Sequence, residues 1–236
     1  MRYWKNIVGI LLSFILISCQ YDEPWKDVSK TTGKSYVRFV NSLPSSNGSR
    51  IVGRYYNSDF LVIDSIAYRQ VLPSRGTVSL NSTDTPSEFG YPRFEMGIIS
   101  ISNNPDTIGR SYIELLDKQS YTIFLYDSLG KPSILQIQEP LDATTIDTSL
   151  AALRMVNIRQ STQSGVKLYV DGTELFSGNL GFGFYSAYAP VQATTVTIEA
   201  RDAAGNVVAS LNGVNLSKRH FYSAILDNQS LYLITN

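Results

Sequence analysis

Cysteine and histidine are almost absent from this chain, which has one residue of each type among 236. Such scarcity excludes Cys- and His-rich zinc sites, structural disulfides and Cys–His nucleophilic catalysis. Charged residues make up only 17% of the chain, against about 25% in ordinary soluble domains, and the formal net charge is zero. Because no basic patch of the kind that nucleic acid selects is visible, no DNA or RNA partner is expected.

Catalytic and metal-binding motifs are also missing. The chain has neither the Gly-x-Ser-x-Gly motif of α/β-hydrolases nor the Asp-x-Asp-x-Asp-Gly loop of calcium sites. The single histidine, His220, begins an apolar strand with no partner that the sequence can place, so its predicted role is structural. We predict no catalytic residue, no metal site and no cofactor. A glycosidase stays open as an alternative, because paired carboxylates need no fixed spacing.

The N-terminus has the pattern of a bacterial lipoprotein signal. A short positive region at 1–6 precedes an apolar run of eleven residues, 7–17, which is too short to span a membrane. Residues 16–19, Leu-Ile-Ser-Cys, resemble a lipobox. In a lipobox the Cys thiol takes up a diacylglyceryl group, and a small residue such as Ser18 lets the signal peptidase cut before the cysteine. We therefore predict a signal peptide at 1–18 and lipid attachment at Cys19.

Residues 19–34 lack periodicity and are predicted to be a lipidated tether. Asp22 and Glu23 resemble the export signal of Bacteroidota lipoproteins, which directs them to the outer face of the outer membrane, although Tyr21 stands where that signal often has Lys. An ordinary solvated tether is the alternative. We predict an outer-membrane protein held by its lipid anchor at the cell surface; the sequence leaves the periplasmic face open.

Beyond residue 34 the pattern is that of β-strands throughout. Residues 195–200 alternate, with Val196, Ile198 and Ala200 predicted to point inward. Two near-continuous apolar runs, Tyr-Thr-Ile-Phe-Leu-Tyr and Phe-Tyr-Ser-Ala-Ile-Leu, are typical of strands covered on both faces. Asp171-Gly172 is a strong signal for a two-residue hairpin. No segment has the pattern of a capped amphipathic helix, so the fold class is predicted to be all-β.

Three short motifs recur in the same order along the chain, which predicts two copies of one β-unit. The first unit would cover 35–138 and the second 151–236, joined by a linker at 139–150. A single sandwich with coincidental similarity is the alternative. The matched segments are 36–41 with 152–157, 68–71 with 188–191, and 121–125 with 222–226.

The motifs of the second unit resemble the domain of unknown function 4397 family. Those domains open with an Arg-Val-Asn strand, contain a strand ending in Tyr-Val-Asp-Gly and close on a Tyr-Thr-Val type of strand; the corresponding segments here are 153–157, 168–172 and 221–226. The first unit has residues 54–58 in place of the Asp-Gly turn. The resemblance implies two tandem immunoglobulin-like β-sandwich units on a secreted or surface lipoprotein, and it implies no activity.

Four aromatic residues stand within seven positions of the second unit: Phe182, Phe184, Tyr185 and Tyr188. Aromatic faces on a β-scaffold stack on sugars or on apolar side chains, and the intervening glycines allow a close approach. Strand alternation cannot bury all four rings on one face, so at least one should face solvent or a neighbouring element. These four are the predicted binding residues; burial against the first unit is the alternative.

The sequence thus favours a membrane-anchored, non-enzymatic binding or scaffold module for a glycan or an envelope protein. The alternatives are a carbohydrate-active enzyme with an unidentified carboxylate pair and a purely structural surface spacer. A buried carboxylate pair about 5–10 Å apart would favour the enzyme. Exposed aromatic rings on one rim, without such a pair, would favour binding.

Overall fold

The computed structural model is all-β in the residues that it describes, which confirms the predicted fold class. The one helical element there is a 3-10 helix at Gln160–Thr162, and this part of the chain holds no helix long and apolar enough to cross a membrane. The predicted signal peptide, Cys19 and the predicted tether up to residue 33 lie outside the described residues. The described residues are 34–44, 49–55, 58–72, 78–81, 93–100, 107–116, 118–140, 147–162 and 165–236.

The described residues form eighteen strands, nine in each half of the chain. The first nine are β1 (Lys34–Asn41), β2 (Ser49–Tyr55), β3 (Ser58–Ile66), β4 (Val71–Leu72), β5 (Val78–Asn81), β6 (Arg93–Ser100), β7 (Thr107–Glu114), β8 (Ser120–Ser128) and β9 (Lys131–Glu139). The last nine are β10 (Leu150–Asn157), β11 (Val166–Val170), β12 (Thr173–Glu174), β13 (Phe184–Tyr185), β14 (Ala189–Gln192), β15 (Thr195–Asp202), β16 (Val207–Asn215), β17 (Phe221–Leu226) and β18 (Leu231–Thr235).

The strands pair into four sheets that follow one plan twice. The first inner sheet has the order β4-β1-β8-β9 with β5 also on β1, and the first outer sheet has the order β3-β2-β6-β7. The second inner sheet has the order β13-β10-β17-β18 with β14 also on β10, and the second outer sheet has the order β12-β11-β15-β16. The parallel pairs β1–β8 and β10–β17 stand at the centre of the inner sheets. The strands β10–β18 of the second half therefore correspond, in the same order along the chain, to the strands β1–β9 of the first half.

Two of the three recurring motif pairs, 36–41 with 152–157 and 121–125 with 222–226, occupy equivalent positions in this plan. The predicted match of 68–71 with 188–191 is wrong, because Val71 lies in β4, whose counterpart is β13, whereas Val191 lies in β14, the counterpart of β5. Arg38 lies opposite Thr122 across β1 and β8, and Arg154 lies opposite Ser223 across β10 and β17. This register confirms the predicted equivalence of the two arginines.

The closing strands share a second detail. The Tyr121 hydroxyl accepts a hydrogen bond from the Leu116 N–H at 2.9 Å, and the Tyr222 hydroxyl accepts one from the Ser217 N–H at 3.0 Å. Each tyrosine thus ties its strand to the backbone five residues upstream.

The four sheets pack through three apolar cores. One core lies between the first outer and inner sheets, a second lies between the second outer and inner sheets, and the third joins the two inner sheets face to face. The third core, called here the central core, takes residues from both halves of the chain. Its buried members are Val40, Phe124 and Ile137 from the first half and Val156, Ile158, Ile225 and Ile234 from the second.

Burial on both faces explains the apolar runs of the two central strands. Residues 121–125 of β8 and 222–226 of β17 are all buried, because one face of each strand meets an outer sheet and the other meets the central core. The outer strand β15 instead alternates, with Val196, Ile198 and Ala200 buried and facing the second inner sheet. Both predictions of strand environment are confirmed.

Two hairpins have two-residue turns of the same geometry, and the sequence of the Asp-Gly turn favours that geometry. Asp171 and Gly172 have φ values of 48° and 77°, and Leu129 and Gly130 have φ values of 55° and 81°. Positive φ at both central residues is the type I′ turn, which matches the right-handed twist of the flanking strands. The Asp-Gly hairpin between β11 and β12 is therefore confirmed.

The ends of the predicted linker belong to strands. Strand β9 ends at Glu139 and strand β10 begins at Leu150, so only the residues between them connect the two halves. Residues 141–146 lie outside the described part of the chain. The strand position of Glu139 matters because it holds this side chain against the second half.

Candidate ligand-binding cleft

A cleft of about 650 Å³ opens where the end of β9, the start of β10 and the segment 185–190 meet. Most of its lining surface is apolar, and its polar lining comes from a few side chains. Its aliphatic, proline and aromatic lining includes Pro140, Leu150, Ala152, Ala187, Ala189, Pro190 and Phe221, and its charged lining is Glu139, Asp147 and Arg154.

Two of the four predicted binding residues line this cleft. Tyr185 and Tyr188 both contribute to its wall. Tyr185 is 43% exposed and its neighbour Phe184 is 66% exposed. Phe182 packs edge-on against Tyr126 of β8, with 5.8 Å between the ring centroids. The four aromatic residues therefore have three environments. Tyr185 and Tyr188 line the cleft, Phe184 is exposed, and Phe182 packs against the first half.

The strand geometry accounts for this division. Phe184 and Tyr185 form β13 and pair with Asn157 and Val156 at the edge of the second inner sheet. Successive residues of a strand point to opposite sides, so at least one of these rings had to leave the packed surface. Gly183 precedes them with a φ of +79°, a conformation that favours glycine. This backbone conformation explains why glycine stands at position 183.

The wall of the cleft contains a largely buried ion pair that joins the two halves. The Arg154 side chain is 2% exposed, and its Nη2 donates a short hydrogen bond to Oε1 of Glu139. The second oxygen of Glu139 accepts a hydrogen bond from the Tyr188 hydroxyl at 3.0 Å. Nε of Arg154 donates to the Ser223 hydroxyl at 2.8 Å. The Tyr188 ring also covers the guanidinium, with 4.6 Å between its centroid and Cζ.

Asn236 extends this network to the first half of the chain. Its Nδ2 donates to the hydroxyls of Tyr188 and Ser223, each at 2.6 Å. Arg38 Nη1 donates to the Thr235 carbonyl at 2.8 Å and lies 3.4 Å from the Asn236 side-chain oxygen. Burial lowers the pKa of Arg38, and the negative charge of Glu139 partly offsets that effect. The two equivalent arginines therefore belong to one hydrogen-bonded network.

Burial raises the pKa of Tyr188 above its ordinary value, and the hydrogen bond to Glu139 acts in the same direction. The hydroxyl therefore stays protonated at neutral pH and can donate to the carboxylate. The other carboxylate of the cleft, Asp147, is exposed, and its Oδ1 accepts hydrogen bonds from the N–H and the hydroxyl of Ser149. These two bonds hold the pKa of Asp147 below its ordinary value, so it is ionised at neutral pH.

A second polar cluster, directly after the end of β17, also joins the two halves. Asp227 accepts two hydrogen bonds from Arg69 through Nε and Nη2, at 3.1 and 3.0 Å, and a third from the Tyr68 hydroxyl at 2.6 Å. The Arg69 guanidinium also stands 4.8 Å from the centroid of the Tyr232 ring. Burial, together with the hydrogen bond to Asp227, raises the pKa of Tyr68 to about 12.

These tyrosines predict a loss of stability in alkali. In the unfolded chain a tyrosine ionises near pH 10, whereas burial raises the pKa of Tyr68, Tyr188 and Tyr232 in the folded protein. A raised pKa means that the folded state keeps protons that the unfolded state releases. The free energy of unfolding should therefore hold below pH 10 and fall as the pH rises from 10 towards 12.

Urea unfolding at intervals between pH 8 and pH 12 measures this dependence. Tyr68→Phe is the matched variant, because phenylalanine keeps the ring and cannot ionise. Its unfolding free energy should fall less steeply above pH 10 than that of the unchanged protein. A free energy that stays constant up to pH 12 would show that these hydroxyls do not resist ionisation in the fold.

The chemistry of the cleft suits binding of an uncharged, partly apolar molecule. Both carboxylates that line it already accept hydrogen bonds from protein groups, Glu139 from Arg154 and Tyr188, and Asp147 from Ser149. Across the described ranges no three His, Cys, Asp or Glu side chains come together in a way that could hold a metal ion.

The sequence pattern predicted the aromatic residues of the cleft but not its ion pair. Arg154 stands in a strand whose other residues up to Val156 are all apolar, and a charged residue in such a run is the signal that could have marked it. Glu139 offers no local signal, because its partner belongs to the other half of the chain.

No protein-family model matches the chain, and no curated protein matches it. The family resemblance drawn from the strand motifs therefore stays a prediction, and the residues of the cleft carry the functional argument.

Proposed function

We propose that this protein is an envelope lipoprotein that binds a glycan or an envelope protein in the cleft beside Tyr185 and Tyr188, without catalysis. The observation that carries the proposal is the cleft itself. Its volume of about 650 Å³ falls in the range of about 300–1,000 Å³ that is typical of ligand sites. A largely apolar wall with a few polar groups is also typical of such sites.

The exposure of Tyr185, which lines the cleft, supports binding, and its neighbour Phe184 is exposed outside the lining. Phe184 and Tyr185 keep much of their surface in solvent, although aromatic side chains have large apolar faces to bury. Such rings offer flat contact surfaces to a sugar ring or to apolar side chains of a partner.

We also propose that the two halves are tandem immunoglobulin-like β-sandwich units of the domain of unknown function 4397 type, covering 35–138 and 151–236. The repeated strand order and the equivalent places of Arg38 and Arg154 support this proposal. The lipobox at Cys19 and the acidic residues after it support anchoring in the outer membrane, with the two units at the cell surface.

A retention experiment tests binding in the cleft. The full lipidated chain, purified in detergent, is probed with envelope extract and with a glycan array. Tyr185→Ala is expected to reduce retention of the bound component at least tenfold, because it removes an aromatic ring that lines the cleft. This ring is largely exposed, so the fold does not depend on its burial. Its melting temperature should stay within a few degrees of the original.

Tyr36→Ala is the matched control, since Tyr36 is 40% exposed and lies in β1, outside the lining of the cleft. It should keep full retention. If Tyr185→Ala and Tyr36→Ala retain the same components equally well, the cleft is not the binding site. If no component is retained by the unchanged chain, the binding function itself is wrong and a spacer role gains support.

A further inference from the structure

Resting on the proposed function, we propose that the ligand of the cleft is an uncharged oligosaccharide. A sugar ring would lie with its apolar face against Tyr185, and neighbouring hydroxyls would reach Arg154 and the carboxylates of the lining. The argument rests on the spare donors of Arg154, the charges around them and the edge of β14.

Within the described part of the chain, Arg154 has hydrogen-bond donors that no protein acceptor uses. A guanidinium carries five N–H groups, and among the described residues those of Arg154 meet two acceptors, Ser223 and Glu139. The side chain is 2% exposed and still forms part of the cleft wall. A buried donor without an acceptor costs free energy. An oxygen atom of a ligand in the cleft would accept a hydrogen bond from one of these unused N–H groups.

The surrounding charges select the kind of oxygen. Among the described residues that line the cleft, Glu139 and Asp147 carry two negative charges against the one positive charge of Arg154, and Arg38 of the same network lies outside the lining. A carboxylate or phosphate group would meet that excess negative charge. A hydroxyl accepts from Arg154 and donates to a carboxylate, so neighbouring hydroxyls satisfy both signs without adding charge.

The strand edge disfavours an extended peptide. Strand β14 forms one wall of the cleft and pairs with β10 on one side. An added peptide strand would need the N–H groups of its free edge, but Pro190 stands in the middle of β14 and has none. An oligosaccharide, which binds through ring faces and hydroxyls, does not need these backbone hydrogen bonds.

Matched probes separate these ligand classes by calorimetric titration of the full lipidated chain in detergent. The neutral probes are cellohexaose, maltohexaose, laminarihexaose and mannohexaose, each with a counterpart whose C6 hydroxyls are oxidised to carboxylates. A neutral peptide of alternating Thr and Val represents strand addition. We expect at least one neutral hexasaccharide to bind and its oxidised counterpart to bind at least tenfold more weakly.

Two variants connect that result to the cleft. Tyr185→Ala should weaken the neutral sugar at least tenfold. Asp147→Asn keeps the oxygen that Ser149 contacts and removes one negative charge. The ratio of the dissociation constants of the oxidised and the neutral sugar should therefore fall at least threefold. A role of Asp147 in the local turn alone would leave that ratio unchanged.

Other outcomes overturn the inference. Equal or tighter binding of the oxidised sugars, binding of the peptide alone, or no binding of any neutral hexasaccharide each refutes the uncharged oligosaccharide. The proposed function fails separately, when the envelope extract and glycan array give no component whose retention depends on Tyr185.

Discussion

Phe124→Ala is expected to lower the free energy of unfolding by about 3–5 kcal/mol, the usual cost of truncating a fully buried phenylalanine. Phe124 has no exposed surface and lies in β8, with its ring in the central core between the two inner sheets. The core members that it joins include Val156 and Ile225 from the other half of the chain. The truncation therefore leaves a cavity at the contact that couples the two halves. Urea or thermal unfolding followed by circular dichroism measures the loss.

Phe39→Ala is the matched control for this prediction. Phe39 is equally buried and lies on the neighbouring strand β1, but its ring belongs to the core between the first outer and inner sheets. Both variants should lose a similar free energy. Only Phe124→Ala should separate the unfolding of the two halves into two steps, because it weakens the core that they share. A loss below about 1 kcal/mol for Phe124→Ala would mean that the inner sheets do not pack on each other as described.

Cys19→Ala is expected to abolish both lipidation and removal of the signal peptide. Without the thiol no diacylglyceryl group can attach, and the signal peptidase that cuts before the lipidated cysteine has no substrate. Each buried CH₂ of an acyl chain contributes about 0.8 kcal/mol to membrane binding, so two or three chains on Cys19 would hold the proposed mature protein almost permanently. Detergent-phase partitioning and intact mass should show an uncleaved, unlipidated precursor.

Ser18→Ala is the control, because alanine is also small and leaves the thiol of Cys19 in place. This variant should keep the lipidated mature mass. Detergent-phase partitioning of Cys19→Ala at the mature mass would refute the lipoprotein assignment. Protease digestion of intact cells then separates outward-facing from periplasmic placement, since only an exposed protein is cut.

Local sequence patterns predicted much of the fold because each depends on neighbouring residues. The alternation of Val196, Ile198 and Ala200 follows from the two-residue repeat of a strand. The hairpin at Asp171-Gly172 follows from the ease with which these residues adopt positive φ. The near-continuous apolar runs of β8 and β17 indicated burial on both faces, and the four layers of sheets provide it.

The candidate site was predicted only in part. The cluster of aromatic residues pointed to the segment that forms one wall of the cleft, because four rings exceed what one strand face can bury. The pattern did not show that Phe182 would pack on Tyr126 while Tyr185 and Tyr188 turned to the cleft. That choice depends on where β8 of the first half lies, which no local repeat in the sequence contains.

The sequence by itself determined the all-β class, the turns and the recurrence of one strand plan, since strand period and turn chemistry act over a few residues. Only the tertiary structure decided that the two inner sheets share a core and that Arg154 pairs with Glu139. The pairing joins side chains of β10 and β9, which meet because the inner sheets pack face to face. An ion pair of this kind forms where folding removes both groups from water together, and no periodicity along the chain records which distant residue will be the partner.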